Sequence, residues 1–542
     1  MNSDYRPEKP RRSHLISANI RQWPTDLLAI LAAVTCLFAT FLTLPNILAI
    51  EFTFDRNYNE GWNVYNTARL IHHQVVYDDD YWRVNNYPIG SFLIIAAANF
   101  LFDNLLLTGR IVAFISFVAI GLLAAVATLR FGGKRIDAVF SAGCALGFCY
   151  LVAPGWVSVD DPQTLGEAVM LGGLVSYISR PATLSGLFRT AFLVVLGAFV
   201  KHSVIAIPVA ITLDLAIRSP RRLLFWLGCC AGLAAAFVGV TQIVAGGTFI
   251  EHLLSPRVFY WYGVRYHLMK YLRLFKFPLI ALILGLRLTF TADRFLLAAW
   301  GAISIITATI FSGFEGTSYN MFQDAAVFLG VAAGILFSEA RRLGSRVGLT
   351  KVAAFALPLL LAQPILARSS DSFAHLYNSR ALLEQYRLQQ EVFFADAKYI
   401  LESGGRAICE NLLLCYSSGQ PFTLDPFNSR QYMLAGKLDQ RELIEHIAAH
   451  EFAVIQLKAD ICDDPATSYC HILHYPQKIN RFTDETLYAI DKYYRVARRS
   501  MYGTFYVPKE GDQGSVLLRP AQSTDFLCPC RRHLVAIARV RR

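Results

Sequence analysis

The chain is short of charge. Only 17% of its 542 residues are Asp, Glu, Lys or Arg, against about 25% in soluble domains. That deficit excludes a disordered chain and a purely soluble enzyme. Cysteine is sparse as well: 11 residues in 542 are too few for a disulfide scaffold. With 35 glycines and 21 prolines, collagen-like and proline-rich classes are excluded. No repeat of solenoid period is visible. Apolar residues fill the gap. They make up 54% of the chain, and the mean hydropathy is +0.39. This is the composition of a polytopic membrane protein.

A basic N-terminus with Arg6, Lys9, Arg11, Arg12 and Arg21 precedes an apolar segment at 27–50. That segment is too long for a signal-peptide core and has no A-x-A site, so it reads as a membrane anchor. Further apolar segments run at 107–129, 136–154, 163–178, 186–200, 203–217, 223–246, 275–291, 295–312, 320–338 and 352–367. Three are only about 15 residues, short for a span. Suppose the N-terminus is cytoplasmic and each segment crosses once. The inner loops then carry Arg130, Lys134 and Arg135; Arg180 and Arg189; Arg218, Arg221 and Arg222; Arg287 and Arg294; and Arg341, Arg342, Arg346 and Lys351. The outer loops 155–162 and 313–319 carry no Lys or Arg. This is the positive-inside pattern. It accounts for the net charge of +11 without nucleic acid. Counting Pro88–Phe102 as a span would reverse every later loop, so that stretch reads as a helix on the outer membrane surface.

The expected architecture is a polytopic α-helical membrane protein of about 11 spans. A membrane domain at 1–370 is followed by an extracytoplasmic α/β domain at 371–542. In the latter, Ser379–Glu402 and Gln440–His450 read as helices, and Phe452–Leu457 and Gly503–Val507 as strands.

Functional groups in a membrane protein show themselves as polarity where polarity is costly. Four places on the outer side qualify. The loop Glu51–Tyr87 holds Asp55 and Glu60 among aromatics, then the acidic run Asp78–Asp80. Glu60 suits a general base there, whereas Asp78–Asp80 reads better as a solvated loop. Asp160-Asp161-Pro162-Gln163 opens a helix, and capping accounts for one Asp but not obviously for two. Lys201-His202 interrupts an otherwise apolar run, either as a snorkelling anchor or facing a polar cavity. The loop Gly247–Phe277 carries Arg257, Arg265, Lys270, Arg273 and Lys276 with Trp261 and several tyrosines, against the positive-inside trend. It suits a phosphate headgroup or nonspecific lipid contact. Glu315–Asn320 joins the same face.

Taken together, the segment 25–370 resembles the GT-C superfamily of integral-membrane glycosyltransferases. It looks most like the bacterial branch of protein O-mannosyltransferases, lipid A aminoarabinose transferases and rhizobial core sugar transferases. Asn59-Glu60-Gly61 matches the family's acidic pair, with Asn59 where the family often has Asp. Ala68–Tyr77 matches A-x-x-L-x-x-G-x-x-Y, with Gln74 in place of Gly. Tyr87-Pro88 stands for the proline motif, Asp161-Pro162 for the second-loop acid, Lys201-His202 for the helix break, and Gly316–Phe322 for the late motif.

The resemblance implies a polyprenyl-phosphate sugar donor and transfer with inversion on the outer face of the bacterial cytoplasmic membrane. The acceptor would be a cell-envelope glycan, lipid or protein. Glu60, Asp161 or Asp55 would supply the base. Lys201, His202, Arg257 and Arg265 would hold the donor phosphate. Tyr87, Asp160, Gln163, Tyr319 and Asn320 would line the substrate. Some members use a divalent metal, Mg or Mn, for which Asp55, Glu60, Asp161 and His202 offer ligands; the sequence leaves this open. A transporter or flippase and a noncatalytic scaffold are the alternatives, though no pseudo-repeat or midplane ion site is visible. An outward C-terminal domain would meet an oxidising compartment. Cys409–Cys415 and Cys462–Cys470 are then feasible local disulfides. Cys528 or Cys530 would pair elsewhere, and the remaining five cysteines would stay reduced.

Overall fold

Backbone groups in hydrocarbon have no partners but one another, so apolar segments of this length form helices. The computed structural model describes residues 13–179, 183–289, 294–343, 349–461 and 481–509. Each of the apolar segments forms a helix over most of its described length. In chain order these helices are α1 (Ser13–Leu48), α2 (Tyr58–Ile71), α3 (Gly90–Ala98), α4 (Leu105–Arg130), α5 (Arg135–Val152), α6 (Pro162–Ser179), α7 (Leu184–Val200), α8 (Ala206–Arg218) and α9 (Pro220–Ala245). Then come α10 (Phe249–Leu253), α11 (Trp261–Leu274), α12 (Lys276–Thr289), α13 (Phe295–Phe311), α14 (Gln323–Leu343) and α15 (Leu349–Leu366). Among the described residues, 5 helical stretches are long and apolar enough to cross a membrane: Asp26–Leu48, Leu105–Arg130, Arg135–Val152, Pro220–Ala245 and Tyr319–Arg342. The chain is a polytopic α-helical membrane protein.

Helix α14 is the axis of the bundle, lying among α4, α5, α13 and α15. Two glycines let α5 come close. A Cβ at Gly330 would stand 2.5 Å from Ala145 Cα, and one at Gly334 would stand 2.5 Å from Ser141 Cβ. One end of the pair is locked by Arg341, whose Nη2 lies 2.9 Å from the buried Asp137.

Two stretches differ from their reading as loops. Gly247–Phe277 contains α10 and the whole of α11. Basic and aromatic residues hide a helical stripe there, because WYGVRYHLMKYLRL is amphipathic rather than apolar. Glu51–Tyr87 contains α2. Pro88–Phe102 is the short α3 with a 3₁₀ turn, and Phe100, Leu101 and Phe102 are exposed at its end.

The C-terminal part begins with α16 (Ser369–Tyr377) and α17 (Ser379–Glu402). A four-stranded sheet follows, with spatial order β1 (Arg406–Cys409), β2 (Phe452–Leu457), β4 (Gly503–Pro508), β3 (Tyr494–Ser500). β1 and β2 are parallel, and the other pairs are antiparallel. Helices α18 (Leu412–Ser417), α19 (Pro426–Leu434), α20 (Gln440–Ala448) and Asp484–Tyr493 pack around it. The expected helices and strands reappear as α17, α20, β2 and β4; β1 and β3 were not expected. This part is fused to the bundle. Trp62, Val64 and Tyr65 of α2 share one core with Leu412–Leu414 and Phe422. A side chain at Gly61 would collide with the Leu413 backbone.

Cys409 and Cys415 are joined by a disulfide, as their spacing suggested. Cys36, Cys144, Cys149, Cys229 and Cys230 are free. Cys462, Cys470, Cys528 and Cys530 lie outside the described residues.

Candidate functional site

Helix α2 is unusual in burying its polar side. Glu60, Asn63, Asn66 and Arg69 are all buried. Asn57 caps the helix, its side chain accepting from the Asn59 amide at 3.0 Å. Glu60 is met by Arg110 of α4: Nε donates to Oε1 at 2.6 Å and Nη2 to Oε2 at 2.8 Å. The Arg56 amide donates to Oε2 at 2.8 Å, and the Asp160 amide to Oε1 at 3.4 Å. Burial alone would push the Glu60 carboxyl up. The adjoining Arg110 charge and its hydrogen bonds outweigh burial and hold it below the usual range. Arg110 also donates to the carbonyls of Ala49, Phe52 and Phe54. The pair therefore fastens the first outer segment to α4. A carboxylate so engaged is a fixed charge rather than a free base.

The two acids before α6 have separate jobs. Asp161 Oδ1 accepts from the Gln163 amide at 2.8 Å, which caps α6. Its Oδ2 accepts from Asn59 Nδ2 at 2.7 Å. Capping thus uses one oxygen of one aspartate. Asp160 is buried, and its Oδ2 has no partner among the described residues. Burial, then the charges of Glu60 and Asp161, push its carboxyl well up. Gln163 Nε2 donates to Glu167 at 2.9 Å.

In front of these residues lies a cavity of about 640 Å³. Its walls come from the start of α2, from Tyr87, Trp156 and Lys201–Ser203, from the segment before α11, from Gly316–Met321, and from the C-terminal part. Five cations line it: Arg56, Lys201, Arg257, Lys458 and Arg481. Among the described residues no Asp or Glu does. Lys201 Nζ sits 3.6 Å from the centre of the Tyr87 ring. Asn59 Nδ2 is 3.5 Å from the Tyr87 hydroxyl. Arg257 donates to Asn428 Oδ1 at 3.0 Å and to the Glu315 carbonyl at 3.3 Å, with its guanidinium 4.7 Å over Phe427. Neither Lys201 nor Arg257 has a carboxylate partner among the described residues. His202 is neutral: burial, then Lys201 and Arg257, bring its imidazole down to about 3. Trp62 Nε1, Trp156 Nε1, His202 Nδ1 and Ser203 Oγ are buried on this wall without partners among the described residues. Unpaired buried polar groups are costly, and cations without counter-charges more so. Such a wall can hold an anion and offers further hydrogen-bonding groups beside it.

Of the residues singled out in the sequence, Tyr87, Lys201, His202, Arg257 and Asn320 line this cavity. Glu60 and Asp160 lie behind it, fully buried. Asp161 and Gln163 lie one residue back, behind Asn59. Asp55 is turned to the C-terminal part, accepting from Asn411 at 2.7 Å. Tyr319 faces α11, where Lys270 Nζ stands 3.3 Å over its ring. Arg265 is on the exposed side of α11, a turn removed from the wall. Asp78 and Asp80 pair with Arg69 and Arg83. The four suggested metal ligands do not converge. Glu60 is committed to Arg110 and Asp55 to Asn411, while His202 stands beside two cations. Among the described residues no three His, Cys, Asp or Glu side chains are placed to share an ion. The wall residues that sequence reasoning missed are Arg56, Trp62, Trp156, Phe427, Asn428, Lys458 and Arg481.

A helical bundle with a small α/β part closing over a cationic cavity is a fold that solved structures share. The structure of ArnT from Cupriavidus metallidurans bound to undecaprenyl phosphate matches at TM-score 0.52 and 12% identity, covering 90% of this chain and 98% of that one. The apo form of the same protein matches at TM-score 0.55 and 10% identity, covering 89% and 97%. The oligosaccharyltransferase AglB from Archaeoglobus fulgidus overlaps less, at TM-score 0.44 and 13% identity over 88% of this chain and 74% of that one. No protein-family model and no curated protein sequence matches the chain.

Proposed function

We propose that the protein transfers a sugar from a polyprenyl-phosphate donor to an acceptor at the outer face of the bacterial cytoplasmic membrane. The observation that carries this reading is the cavity wall on which Lys201 and Arg257 stand without carboxylate partners among the described residues. An ArnT structure of this fold holds undecaprenyl phosphate, which agrees with it. In this reading Lys201 and Arg257 hold the phosphate. The acceptor oxygen gives its proton to Asp161 and attacks the anomeric carbon opposite the phosphate. The sugar C1–O bond to phosphate breaks, the electron pair leaves with the lipid phosphate, and the configuration inverts. A phosphate leaving group needs no acid, so one base and the clamp suffice. Asp161 is preferred to Glu60 because both Glu60 oxygens are held by the Arg110 guanidinium, whereas Asp161 Oδ2 meets the side-chain amide of a wall residue, Asn59. When the Asn59 amide turns to a sugar hydroxyl, Asp161 Oδ2 is released toward the acceptor. The C-terminal part then lies on the extracytoplasmic side, where its disulfide persists.

The test is release of free undecaprenyl phosphate from undecaprenyl-phosphate sugars by the full-length protein in lipid nanodiscs, with a crude cell-envelope fraction as acceptor. Turnover by the wild type and its loss in Asp161→Asn is the expected result. No binding of undecaprenyl phosphate by the wild type would overturn the reading.

A further inference from the structure

One donor phosphate does not account for the cations on the wall. A polyprenyl-phosphate sugar carries a single phosphodiester and one negative charge. Lys201 and Arg257 already match it, and both act on the same ring hydroxyl, that of Tyr87. Arg56 is spoken for, since its guanidinium donates to the carbonyls of Asn46, Val157 and Ser158. Lys458 and Arg481 remain. They come from the C-terminal part, Lys458 at the end of β2 and Arg481 before the helix Asp484–Tyr493.

Their surroundings anchor them without neutralising the face they present. The Lys458 backbone amide donates to Glu410 Oε2 at 2.6 Å. Its ammonium has no carboxylate within ion-pair distance among the described residues. Arg481 Nη1 donates to Glu410 Oε1 at 2.8 Å, and the guanidinium lies 4.1 Å from the centre of the Tyr58 ring, itself on the wall. Arg481 Nε is buried and has no partner among the described residues. Three acids are near, and none lines the cavity. Glu410 is 3% exposed. Asp55 accepts from Asn411, and Asp425 from Tyr58 and Asn428. The residues that line the cavity here are therefore cationic, and Arg481 Nε keeps a donor without a partner among the described residues.

We propose that Lys458 and Arg481 form a second anion site, which takes a carboxylate or phosphate carried by one of the reactants in addition to the donor's phosphodiester. The proposal rests on the reading of the cavity as a polyprenyl-phosphate sugar site. The extra group belongs either to the transferred sugar, as an acidic sugar, or to the acceptor head group.

Binding to full-length protein in nanodiscs distinguishes the two sources. The donor probes are undecaprenyl-phosphate glucose and undecaprenyl-phosphate glucuronate, which differ in one carboxylate. The acceptor probes are a glucosamine disaccharide with and without a 1-phosphate. The wild type should favour the charged member of one pair by about tenfold or more, the worth of a charge-assisted hydrogen bond. Preference within the donor pair assigns the site to the sugar, and preference within the acceptor pair assigns it to the acceptor. Lys458→Gln should bring that preference close to unity. Arg481→Gln strands Glu410 and risks the fold, so Arg481→Lys is the companion variant and should lose part of the preference. If neither pair is discriminated, or if Lys458→Gln keeps the preference, the second site is refuted while undecaprenyl phosphate still binds. Failure of undecaprenyl phosphate to bind the wild type would instead overturn the donor reading and this proposal with it.

Discussion

The Asn59 side-chain amide donates a 2.7 Å hydrogen bond to Asp161 Oδ2 across 102 positions of sequence. In the GT-C enzymes that this chain resembles, the Asn59 position is often an acid. Two carboxylates at this distance would raise one pKa strongly, whereas a neutral amide brings no such repulsion. Asp161→Asn is expected to lower transfer by about 10²–10⁴-fold, the usual worth of a general base, with undecaprenyl phosphate binding retained. Asn59→Asp supplies the sign test. A second carboxylate raises the pKa of the base, so the acidic limb of the pH–rate profile should move to higher pH. An unmoved limb would take Asp161 out of the proton transfer.

Glu60 gives a different expectation. Its partner Arg110 is fully buried, and Glu60→Gln leaves that guanidinium without a counter-charge. Breaking such a pair costs about 3–5 kcal/mol, so the variant should lose thermal stability before any catalytic effect can be read. The pH dependence follows from the lowered carboxyl. Its stabilisation is fully present above the unfolded value of about 4.3 and is lost as pH falls through the lower folded value. The wild type should therefore lose its stability advantage over Glu60→Gln only in strong acid. A melting temperature equal to wild type at neutral pH would contradict the fixed-charge role.

Glu60 also shows how far the chain could be read before folding. An acid among aromatics at a membrane boundary looks like a base until its partner is known. The partner was in view: Arg110 lies inside the apolar run 107–129, and a charge there demands a counter-charge. Apolar segments declare themselves by length, and Lys201 declares itself by interrupting one. Helix α11 does not, because its face is only a stripe. β3, YRVARRS, escapes because two of its three exposed positions are arginines and only Tyr494 is buried. Lys458 and Arg481 are ordinary cations in a polar region. The packing of Leu412–Leu414 on α2, with the Arg257–Asn428 and Tyr58–Asp425 hydrogen bonds, brings that region to the cavity.

The disulfide Cys409–Cys415 closes a short loop between β1 and α18, the helix that Gly61 accommodates. Chain entropy assigns a loop of this size about 2 kcal/mol. Cys409→Ser with Cys415→Ser should lower the melting temperature under nonreducing conditions, and reductant should lower that of the wild type by a similar amount. Mass spectrometry of protein purified without reductant should show the pair bonded and Cys144 and Cys149 free. Both cysteines of the pair alkylated under those conditions would contradict it.

The donor clamp separates two arginines that the sequence presented alike. Arg257 and Arg265 lie eight positions apart in one basic, aromatic stretch. Arg257 reaches the cavity, braced by Asn428 and the Glu315 carbonyl and lying over Phe427. Arg265 is on the exposed side of α11, on a basic and aromatic surface of the kind that suits headgroups. Arg257→Ala should weaken undecaprenyl phosphate binding by about 1.5–3 kcal/mol, the value of a charge-assisted hydrogen bond. Arg265→Ala should leave that binding within about twofold, since a surface charge contributes little to a site it does not touch. Arg257→Lys keeps the charge without the planar fork, so it should recover part of the loss. Lys201→Ala should resemble Arg257→Ala, and the double variant should lose less than the sum if both cations grip one phosphate. Acceptor preference should be unchanged throughout. Titration of undecaprenyl phosphate against the five variants in nanodiscs reads all of these at once. Equal losses for Arg257→Ala and Arg265→Ala would mean that α11 and the cavity wall serve the membrane surface alone, and the clamp would have to be sought elsewhere.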